Sequence, residues 1–402
     1  MSLLQFLCLI PVLCGSVYVV VCLAAVWRAM RRPRRPSTLR KRDWPAVTIL
    51  KPVCGLEKGL WENLRSTCLQ DYPLFQVVLS VQRADDPAIS LLTQLQQEFG
   101  DDLVTVAIEQ CVAGANGKIN NLIGGLKHAR HDVLVISDSD VRLRPDYLRT
   151  IVAPLENPDV GFVCTLFRAI GAESWFERME LLTMNASFFP DTVFAYVTKT
   201  AKFCIGSSIA FRRSVLKDIG GFESLADYLV EDYEMGRRIW RQGKQPAVVP
   251  YAVDVVIDLR NPSQWWNHQI YWDQNSCIVR PGALISTLII RPLPFAVLFA
   301  VLRQFDPVGL SVLAGALALR LGTAAAILGY GLRDREGLKS LPLLPFRDIA
   351  AVASLLLAFV RKTTVWRDNE FDLTRDGRII HKEAASCKSS SSPETTSVLP
   401  SR

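Results

Sequence analysis

The first segment of this chain limits its fold more than any other part of the sequence. Residues 3–26, LLQFLCLIPVLCGSVYVVVCLAAV, contain no charged side chain. A helix of this length can cross a hydrocarbon core of roughly 30 Å. We therefore predict an N-terminal transmembrane anchor over residues 1–28. A cleaved secretory signal is the alternative, but no basic residue precedes the stretch and no convincing small-residue cleavage site follows it.

A strongly basic segment comes directly after this anchor. Residues 28–42, RAMRRPRRPSTLRKR, carry eight Arg or Lys and no acidic residue. Flanks of this kind stay on the cytoplasmic side of a membrane, which predicts a basic juxtamembrane linker over residues 29–44. A basic run can also indicate nucleic-acid binding. Beside a span it is better explained as a topology signal that contacts anionic lipid, so we expect no nucleic-acid partner.

Short apolar runs alternate with helix-like segments through residues 45–280, which predicts one cytoplasmic α/β domain. The predicted strands lie at residues 46–53, 75–82, 103–110 and 132–140, and their order suggests a parallel sheet with helices on both faces. Such sheets bind ligands outside the carboxyl ends of their strands. An amphipathic helix is expected to begin near Glu231.

Apolar density returns over residues 281–362, where we predict interfacial and transmembrane helices. Arg291, Pro292 and Pro294 interrupt residues 284–302, which favours a broken or interfacial helix there. Residues 308–332 and 343–360 are the better spans, although Arg320 would need a polar partner. Two spans and one interfacial piece would return the tail to the cytoplasm. We assign residues 363–384 to a cytoplasmic tail motif and the Ser-rich residues 385–402 to a disordered tail.

Cysteine and histidine usage argues against two classes of site. The ten cysteines lie at irregular spacings without a CxxC pair, and the four histidines are dispersed. We therefore expect reduced, mostly buried thiols rather than a disulfide framework or a zinc site.

Acidic residues occur at three places along this region, namely Asp85 and Asp86, Asp138 and Asp140, and Glu231 and Asp232. A protein that binds a diphosphate through carboxylates needs a divalent cation as a bridge, and an Asp-x-Asp pair can give oxygen ligands to Mg²⁺ or Mn²⁺. A third carboxylate could remove a proton from an attacking hydroxyl. Each feature also has a structural explanation, because aspartates cap helices, favour helix N-termini and face water after strands.

Several motifs together resemble a known family, the ceramide glucosyltransferases and their bacterial hopanoid-associated relatives, which form glycosyltransferase family 21. They are ILKPVCGLE near residue 49, VQRADDPAI, GKINNL, ISDSDVR, GGFESLADYLVEDYEMG and the late VWRDNEFDLTRDGR. The resemblance covers about residues 45–280 and the tail motif. It implies a Rossmann-like GT-A domain that is inverting, metal-dependent and active on a lipid hydroxyl at the cytoplasmic face.

The resemblance also implies roles for individual residues. Asp86 would contact the nucleotide, Lys118 would lie near the nucleotide or diphosphate, and Asp138 would bind the ribose or sugar of the donor. Asp140 would bind the divalent cation, Mg²⁺ or Mn²⁺, and Asp232 would be the general base.

One motif departs from the family pattern. The family has Gln or Arg, two variable residues and then Arg-Trp, whereas this chain has HQIYW, with His268 and Tyr271 at the two altered positions and Trp272 kept. An arginine can pair with a diphosphate through a charged fork, which tyrosine cannot do. Either His268, Gln269 or Arg280 takes over this work, or donor handling differs, or activity has been lost. We include His268, Gln269 and Trp272 among the expected substrate-binding residues.

The resulting expectation is a membrane-bound inverting glycosyltransferase. It would move glucose or N-acetylglucosamine from the corresponding UDP-sugar to a ceramide-like or hopanoid hydroxyl. It would be an integral, multi-pass membrane protein with its catalytic domain in the cytoplasm, at a bacterial inner membrane. A processive polysaccharide synthase and a non-catalytic membrane pseudoenzyme are the alternatives.

Overall fold

Four parallel strands form one half of a central eight-stranded sheet in the computed structural model, which describes residues 2–31, 43–366, 369–374 and 376–381. Every residue of the inner strand β1 is buried. Such continuous apolar runs are typical of parallel strands covered on both faces, so the strand predictions are confirmed. In spatial order the four strands are β3 (Val104–Ile108), β2 (Phe75–Val81), β1 (Val47–Pro52) and β4 (Val133–Ser137).

The other half of the sheet is mixed, which the four predicted strands, all parallel, did not indicate. The strand β7 runs antiparallel to both of its neighbours, and only one pair in this half is parallel. Apolar patterning shows that a strand exists but not its direction. These strands, in spatial order, are β7 (Ser208–Arg212), β6 (Val160–Ile170), β8 (Gln245–Val256) and β5 (Val141–Arg142).

Helices on both faces cover this sheet, and some begin with side-chain caps. Asn116 accepts a hydrogen bond from the backbone N–H of Ile119, and Ser174 forms a capping box with Glu177. The helices are α2 (Leu60–Cys68), α3 (Ile89–Phe99), α4 (Gly117–Leu126), α5 (Tyr147–Val152), α6 (Trp175–Thr183), α7 (Phe189–Val197), α8 (Arg213–Asp218), α9 (Glu231–Arg241) and α10 (Pro262–Val279). Single turns of 3₁₀ helix lie at Ala153–Glu156 and Glu223–Leu225, and a π-helical turn at Met184–Phe188 joins α6 to α7.

The apolar helices lie at the N-terminus and after α10. They are α1 (Leu3–Arg31), α11 (Pro281–Ile289), α12 (Pro292–Leu302), α13 (Pro307–Ala326), α14 (Arg335–Ser340) and α15 (Leu344–Val360). A π-helical turn, Ile327–Leu332, extends α13, and a 3₁₀ turn, Leu341–Leu343, joins α14 to α15. Among the described residues, three helical runs are long and apolar enough to span a membrane: Leu3–Arg31, Pro307–Leu332 and Arg335–Val360. The helix break expected near Arg291 separates α11 from α12.

Three of these helices pack together as a bundle beside the sheet domain. Val12, Ala296 and Ala316 form a small buried cluster between α1, α12 and α13. Gly15 allows a close approach, because a Cβ added there would lie 2.8 Å from Pro292. At the far end, the Gln5 side-chain amide donates to the Leu302 carbonyl at 3.0 Å. The start of α1 and the end of α12 therefore lie side by side at the same end of the bundle.

The run Arg335–Val360 contacts the α/β domain at both ends. Just before it, Asp334 accepts a hydrogen bond from the Asn185 amide at 2.8 Å. Just after it, the Arg361 carbonyl accepts from the Gln274 amide at 3.1 Å. Within it, the Ser354 hydroxyl donates to Asp273 of α10 at 2.6 Å. The run therefore extends along one side of the domain.

The tail motif folds back onto the α/β domain as a three-stranded antiparallel sheet. It consists of β9 (Thr363–Trp366), β10 (Asn369–Leu373) and β11 (Ile379–His381). The backbone N–H of Ile379 donates to the Asp227 carbonyl at 2.8 Å, and Leu229, Phe371 and Ile379 form a buried cluster. The tail thus supports the segment that leads into α9. Most of the predicted basic linker and the predicted disordered tail lie outside the described residues.

Candidate functional site

The Asp-x-Asp loop lies at the carboxyl end of β4 and joins it to β5. The backbone N–H of Val141 donates to the Asp138 carbonyl at 3.1 Å, which closes a tight turn. The Asp140 carbonyl accepts from the N–H of Val256 at 3.0 Å. The loop is thus fixed by backbone bonds on both sides, and the carboxylates of Asp138 and Asp140 do not have to hold it.

A buried lysine holds this loop from inside the α/β domain. Lys51, at the end of β1, is fully buried and donates to the Ser137 hydroxyl at 3.2 Å and to the Val141 carbonyl at 2.9 Å. Burial lowers the pKa of Lys51 to about 8, while the nearby charges of Asp140 and Asp138 oppose that shift. Lys51 belongs to the ILKPVCGLE motif, and no role was expected for it. The signal was a charged residue inside an otherwise apolar strand.

Asp140 has a carboxylate oxygen that the protein does not use. Its Oδ1 is buried without a hydrogen-bond partner among the described residues. Burial, and then the negative charges of Asp138 and Glu57, raise the pKa of Asp140 to about 7. Glu57 is held nearby because it accepts a 2.6 Å hydrogen bond from the Ser139 hydroxyl. An additional positive charge at this point would stabilise the ionised carboxylate.

Lys118, in the first turn of α4, bridges two carboxylates from distant parts of the chain. Its Nζ lies 2.8 Å from Asp138 Oδ1 and 3.2 Å from Glu231 Oε1. The Lys118 side chain is only 16% exposed. Although burial opposes the charged form, the two carboxylates raise the pKa of Lys118, so it stays protonated. This ion pair brings the Asp-x-Asp loop next to the start of α9.

Asp232 lies beside this bridge at the start of α9, as predicted for that helix. Burial, and then the adjacent Glu231 charge, raise the pKa of Asp232 to about 7. One oxygen, Oδ1, accepts from the N–H of Tyr233 at 2.7 Å. The other is close to Gly206, where an added Cβ would lie 2.9 Å from Oδ2. The absence of a side chain at Gly206 thus makes room for this carboxylate.

Asp86 lies in the loop after β2, at the same edge of the sheet, but it binds backbone groups. Its carboxylate accepts from the N–H of Gly55 at 3.0 Å and from the N–H of Ala88 at 2.9 Å. These bonds join the loops that follow β1 and β2. The structural role considered from the sequence is therefore present, and among the described residues no hydrogen bond joins Asp86 to Asp138 or Asp140.

The altered HQIYW motif lies on α10, where its histidine faces the site. His268 Nδ1 lies 2.9 Å from Oε1 of the buried Glu180, and Trp272 Nε1 donates to His268 Nε2 at 3.1 Å. Burial opposes a charge on His268, but Glu180 and, more weakly, Asp140 raise its pKa. Glu180 was not singled out from the sequence, because its partner is far away along the chain.

The neighbouring motif residues are engaged within the protein. Gln269 is buried; its amide donates to Glu180 and its oxygen accepts from the Thr183 hydroxyl at 2.9 Å. Tyr271 packs against the cluster that joins the tail to Leu229. The Arg280 guanidinium lies 4.5 Å from the ring centre of Phe203. Of the three residues considered as replacements for the family arginine, His268 is the one whose pKa is raised by the charge of Asp140.

The sequence profile of glycosyl transferase family 21 matches residues 7–379, nearly the whole chain. The chain belongs to glycosyl transferase family 21. It is 24% identical over 386 residues to ceramide glucosyltransferase 1 of Caenorhabditis elegans, which covers 90% of this chain and 78% of the relative. It is 23% identical over 353 residues to ceramide glucosyltransferase 3 of the same organism, covering 84% and 74%.

A solved structure is similar over most of this family 21 chain. It is the mannosyltransferase PcManGT from Pyrobaculum calidifontis in complex with GDP-Man and Mn²⁺, with a TM-score of 0.52, 19% identity, and coverage of 88% of this chain and 99% of that chain. The likeness confirms the predicted GT-A fold, and the family confirms that the chain is a glycosyltransferase enzyme.

The Asp-x-Asp loop of this glycosyltransferase offers oxygen ligands of the kind that a divalent cation prefers. The unpartnered Asp140 oxygen and the neighbouring Asp138 are hard oxygen donors. Within the described ranges no group of three His, Cys, Asp or Glu side chains converges to hold an ion alone. Such a site suits a cation that takes its remaining ligands from substrate phosphates and water.

Replacing Lys118 with Met should destabilise the enzyme in the presence of a chelator, by roughly 2 kcal/mol after allowance for partial exposure. The loss should be larger at about pH 8.5 than at about pH 5.5, because Asp232, whose pKa is raised to about 7, adds its negative charge to this cluster only at the higher pH. Thermal unfolding of the purified protein at both pH values measures it.

Lys127→Met is the matched control, since Lys127 lies at the other end of α4 and pairs with Glu109 on the exposed surface. It should change the unfolding temperature little at either pH. An equal effect of Lys118→Met at both pH values would show that the bridge does not offset carboxylate repulsion.

Proposed function

We propose that this chain transfers a hexose, glucose or N-acetylglucosamine, from a UDP-sugar to the hydroxyl of a membrane lipid, with inversion at the anomeric carbon. The observation that carries the proposal is Asp232, a partly buried carboxylate with a raised pKa beside the Lys118 bridge to Asp138. The ceramide glucosyltransferase names of the relatives support a ceramide-like or hopanoid acceptor, and the apolar helices support an acceptor held in the bilayer.

The donor would bind along the carboxyl edge of the sheet. Asp138 would bind its ribose or sugar, Lys118 would lie near its diphosphate, and Asp86 would keep the nucleotide loops in place. Asp140, with Asp138 beside it, would hold Mg²⁺ or Mn²⁺. When bound, this cation would neutralise charge on the leaving diphosphate. The Mn²⁺ and GDP-Man of the mannosyltransferase structure are consistent with this arrangement.

Asp232 would act as the general base. Its carboxylate accepts the proton of the acceptor hydroxyl while the hydroxyl oxygen attacks the anomeric carbon. The bond from that carbon to the diphosphate oxygen breaks at the same time, and its electron pair leaves with UDP. Because attack and departure occur on opposite faces, the sugar is inverted. Gly206 leaves room for the Asp232 carboxylate next to the acceptor.

His268 would supply part of the positive charge that the family motif provides through arginine. Glu180 raises its pKa, which favours the imidazolium form. In that form Nε2 carries a proton, so the hydrogen bond that it accepts from Trp272 in the neutral form would be lost, and Trp272 would act by packing against the ring. Gln269 would act by orienting Glu180. Both residues were expected to touch the substrate; this arrangement gives them a supporting role instead.

The test is transfer of label from a panel of nucleotide sugars into the lipid fraction of membranes that contain the protein, followed by mass spectrometry. Wild type should label a glycolipid from UDP-glucose or UDP-N-acetylglucosamine without a polymer primer. Asp232→Asn should lower the rate by roughly 10² to 10⁴-fold. Asp218→Asn, a change at an exposed position on α8, should have no effect.

Each contrary result points to a different alternative. Absence of transfer by wild type from every donor would indicate a pseudoenzyme. Label in a polymer rather than a lipid would indicate a polysaccharide synthase.

The pH dependence of transfer should follow the ionisation of Asp232. Because burial raises the pKa of this carboxyl to about 7, the base is protonated and inactive at lower pH. The value of kcat/KM for the lipid acceptor should therefore rise through about pH 7, rather than be constant above about pH 5 as for an ordinary carboxylate. A rate that is flat between these values would remove Asp232 from this role.

For the membrane arrangement, we propose that α1, α12 and α13 enter the bilayer from the cytoplasmic side and that Arg335–Val360 lies along the domain at the membrane surface. The ends of that run touch the same domain through Asp334 and Arg361. A crossing would place them on opposite sides. After the α/β domain, the proposal keeps two membrane segments and one interfacial segment. However, α12 now enters the bilayer and α15 lies at its surface, whereas the sequence predicted the reverse.

The arrangement predicts that the α/β domain and the C-terminus share the cytoplasmic side. A membrane-impermeant maleimide should label the exposed Cys54 in inverted vesicles but not in intact cells, and an antibody should reach a C-terminal tag in the same preparation only. Cys54→Ser gives the background from other thiols. A tag and Cys54 accessible from opposite sides would contradict the arrangement.

A further inference from the structure

A polar cavity of about 60 Å³ separates the α/β domain from the helix bundle, away from the Asp-x-Asp loop. It lies between α1, α7, α12, α13 and α15. Its walls include hydroxyl groups and five side chains that carry formal charge. The lining residues used below are Tyr18, Asp191, Arg291, Arg320, Arg347 and Asp348.

The lining has one more positive than negative group. Asp348 lies 2.7 Å from Arg320 Nε and 3.0 Å from Arg347 Nη1, so it pairs with both. Asp191 accepts a hydrogen bond from the Tyr18 hydroxyl at 2.8 Å. Among the described residues Arg291 makes no ion pair, and its Nη1 is buried without a hydrogen-bond partner.

A buried guanidinium N–H without an acceptor is costly, because it has lost water and gained nothing in return. The Arg291 fork is suited to two oxygens of a phosphate or carboxylate. The Ser187 hydroxyl and the Arg347 and Arg320 guanidinium groups are already linked to each other at the cavity wall, so they fix a positively charged surface opposite it. The chemistry of the cavity therefore favours an oxyanion.

The cavity also lies at the level where the helix bundle meets the α/β domain. On one side of it, Ala25 of α1 and Ala324 of α13 belong to the core of the α/β domain. On the other side, Val12 of α1 and Ala316 of α13 belong to the separate bundle cluster. The apolar side chains of α1 are more exposed on the bundle side, with Leu13 at 65% and Val17 at 64%, than on the domain side, with Val20 at 47% and Val21 at 43%. A lipid that lies beside the bundle would meet the domain at this level.

We propose that this cavity binds the phosphate group of an anionic phospholipid from the surrounding bilayer, with Arg291 as its principal ligand. The site is separate from the nucleotide-sugar site and does not depend on which sugar or acceptor the enzyme uses. Arg320 and Arg347 would support the phosphate electrostatically while keeping their contacts with Asp348.

A continuous series of hydrogen bonds connects the cavity with His268. Arg347 Nε donates to the Thr183 hydroxyl at 3.0 Å, and that hydroxyl donates to the Gln269 oxygen at 2.9 Å. The Gln269 amide donates to Glu180, whose other oxygen lies 2.9 Å from His268. A phosphate that attracts Arg347 would therefore alter the support of His268, so anionic lipid should change the transfer rate.

The test measures lipid binding by native mass spectrometry of the purified full-length protein in detergent, with no sugar donor present. The probes are phosphatidylglycerol, diacylglycerol and inorganic phosphate. Wild type should retain phosphatidylglycerol in preference to diacylglycerol, and Arg291→Gln should weaken that binding by roughly tenfold, the loss expected for a charged hydrogen-bonding partner. Arg335→Gln removes an exposed arginine outside the cavity and should bind as wild type does.

Arg291→Lys keeps the positive charge but loses the paired N–H donors of the guanidinium group. It tests the proposal if Arg291→Gln does not fold. It should bind phosphatidylglycerol more weakly than wild type but still in preference to diacylglycerol. Equal retention of the two lipids by wild type would overturn the proposal, as would unchanged phosphatidylglycerol binding in the variants. Binding of inorganic phosphate without phosphatidylglycerol would identify a soluble anion as the ligand and reject the lipid.

Because no sugar donor is present, these outcomes are independent of the proposed transferase reaction. A protein that binds phosphatidylglycerol through Arg291 but transfers no sugar would retain this site and lose only the proposed function.

Discussion

One ammonium group determines how the site is assembled. Lys118 contacts Asp138 at 2.8 Å and Glu231 at 3.2 Å, although these carboxylates belong to segments far apart in the chain. Without a cation between them, the end of β4 and the start of α9 would bring like charges together in a partly buried place. Asp232 depends on the same arrangement, because Lys118 opposes the rise in its pKa that burial and Glu231 cause.

A second lysine, the buried Lys51, holds the Asp-x-Asp loop in place, so the two aspartate side chains do not have to do so. Lys51 uses its bonds to hold the Asp-x-Asp loop through Ser137 and the Val141 carbonyl. The Asp140 carboxylate therefore keeps an oxygen to which no described group donates a hydrogen bond. The tail supplies a comparable support on the other side, since β11 pairs with the segment before α9. The site is thus built from carboxylates whose positions are fixed by other groups.

Two arginines at or near the junction with the apolar helices are paired with aspartates. Arg320, which the sequence placed inside an apolar helix, pairs with Asp348 of the neighbouring run. Arg168 pairs with Asp254 within the α/β domain and also donates to the Leu332 carbonyl at the end of the Pro307–Leu332 run. These contacts attach the apolar helices to the domain, so the site keeps a fixed position relative to helices that are long and apolar enough to span a membrane.

The sequence by itself determined the apolar segments, the first four strands, the start of α9 and the carboxylates that a glycosyltransferase of this fold would use. These features depend on local periodicity, on charge and on motifs within short stretches. The tertiary structure alone decided the direction of β7, the path of Arg335–Val360 along the domain, and the partners of Lys51, Lys118 and Glu180. Each of these depends on contacts between residues distant in the chain, and neither hydrophobic pattern nor composition records which distant groups meet.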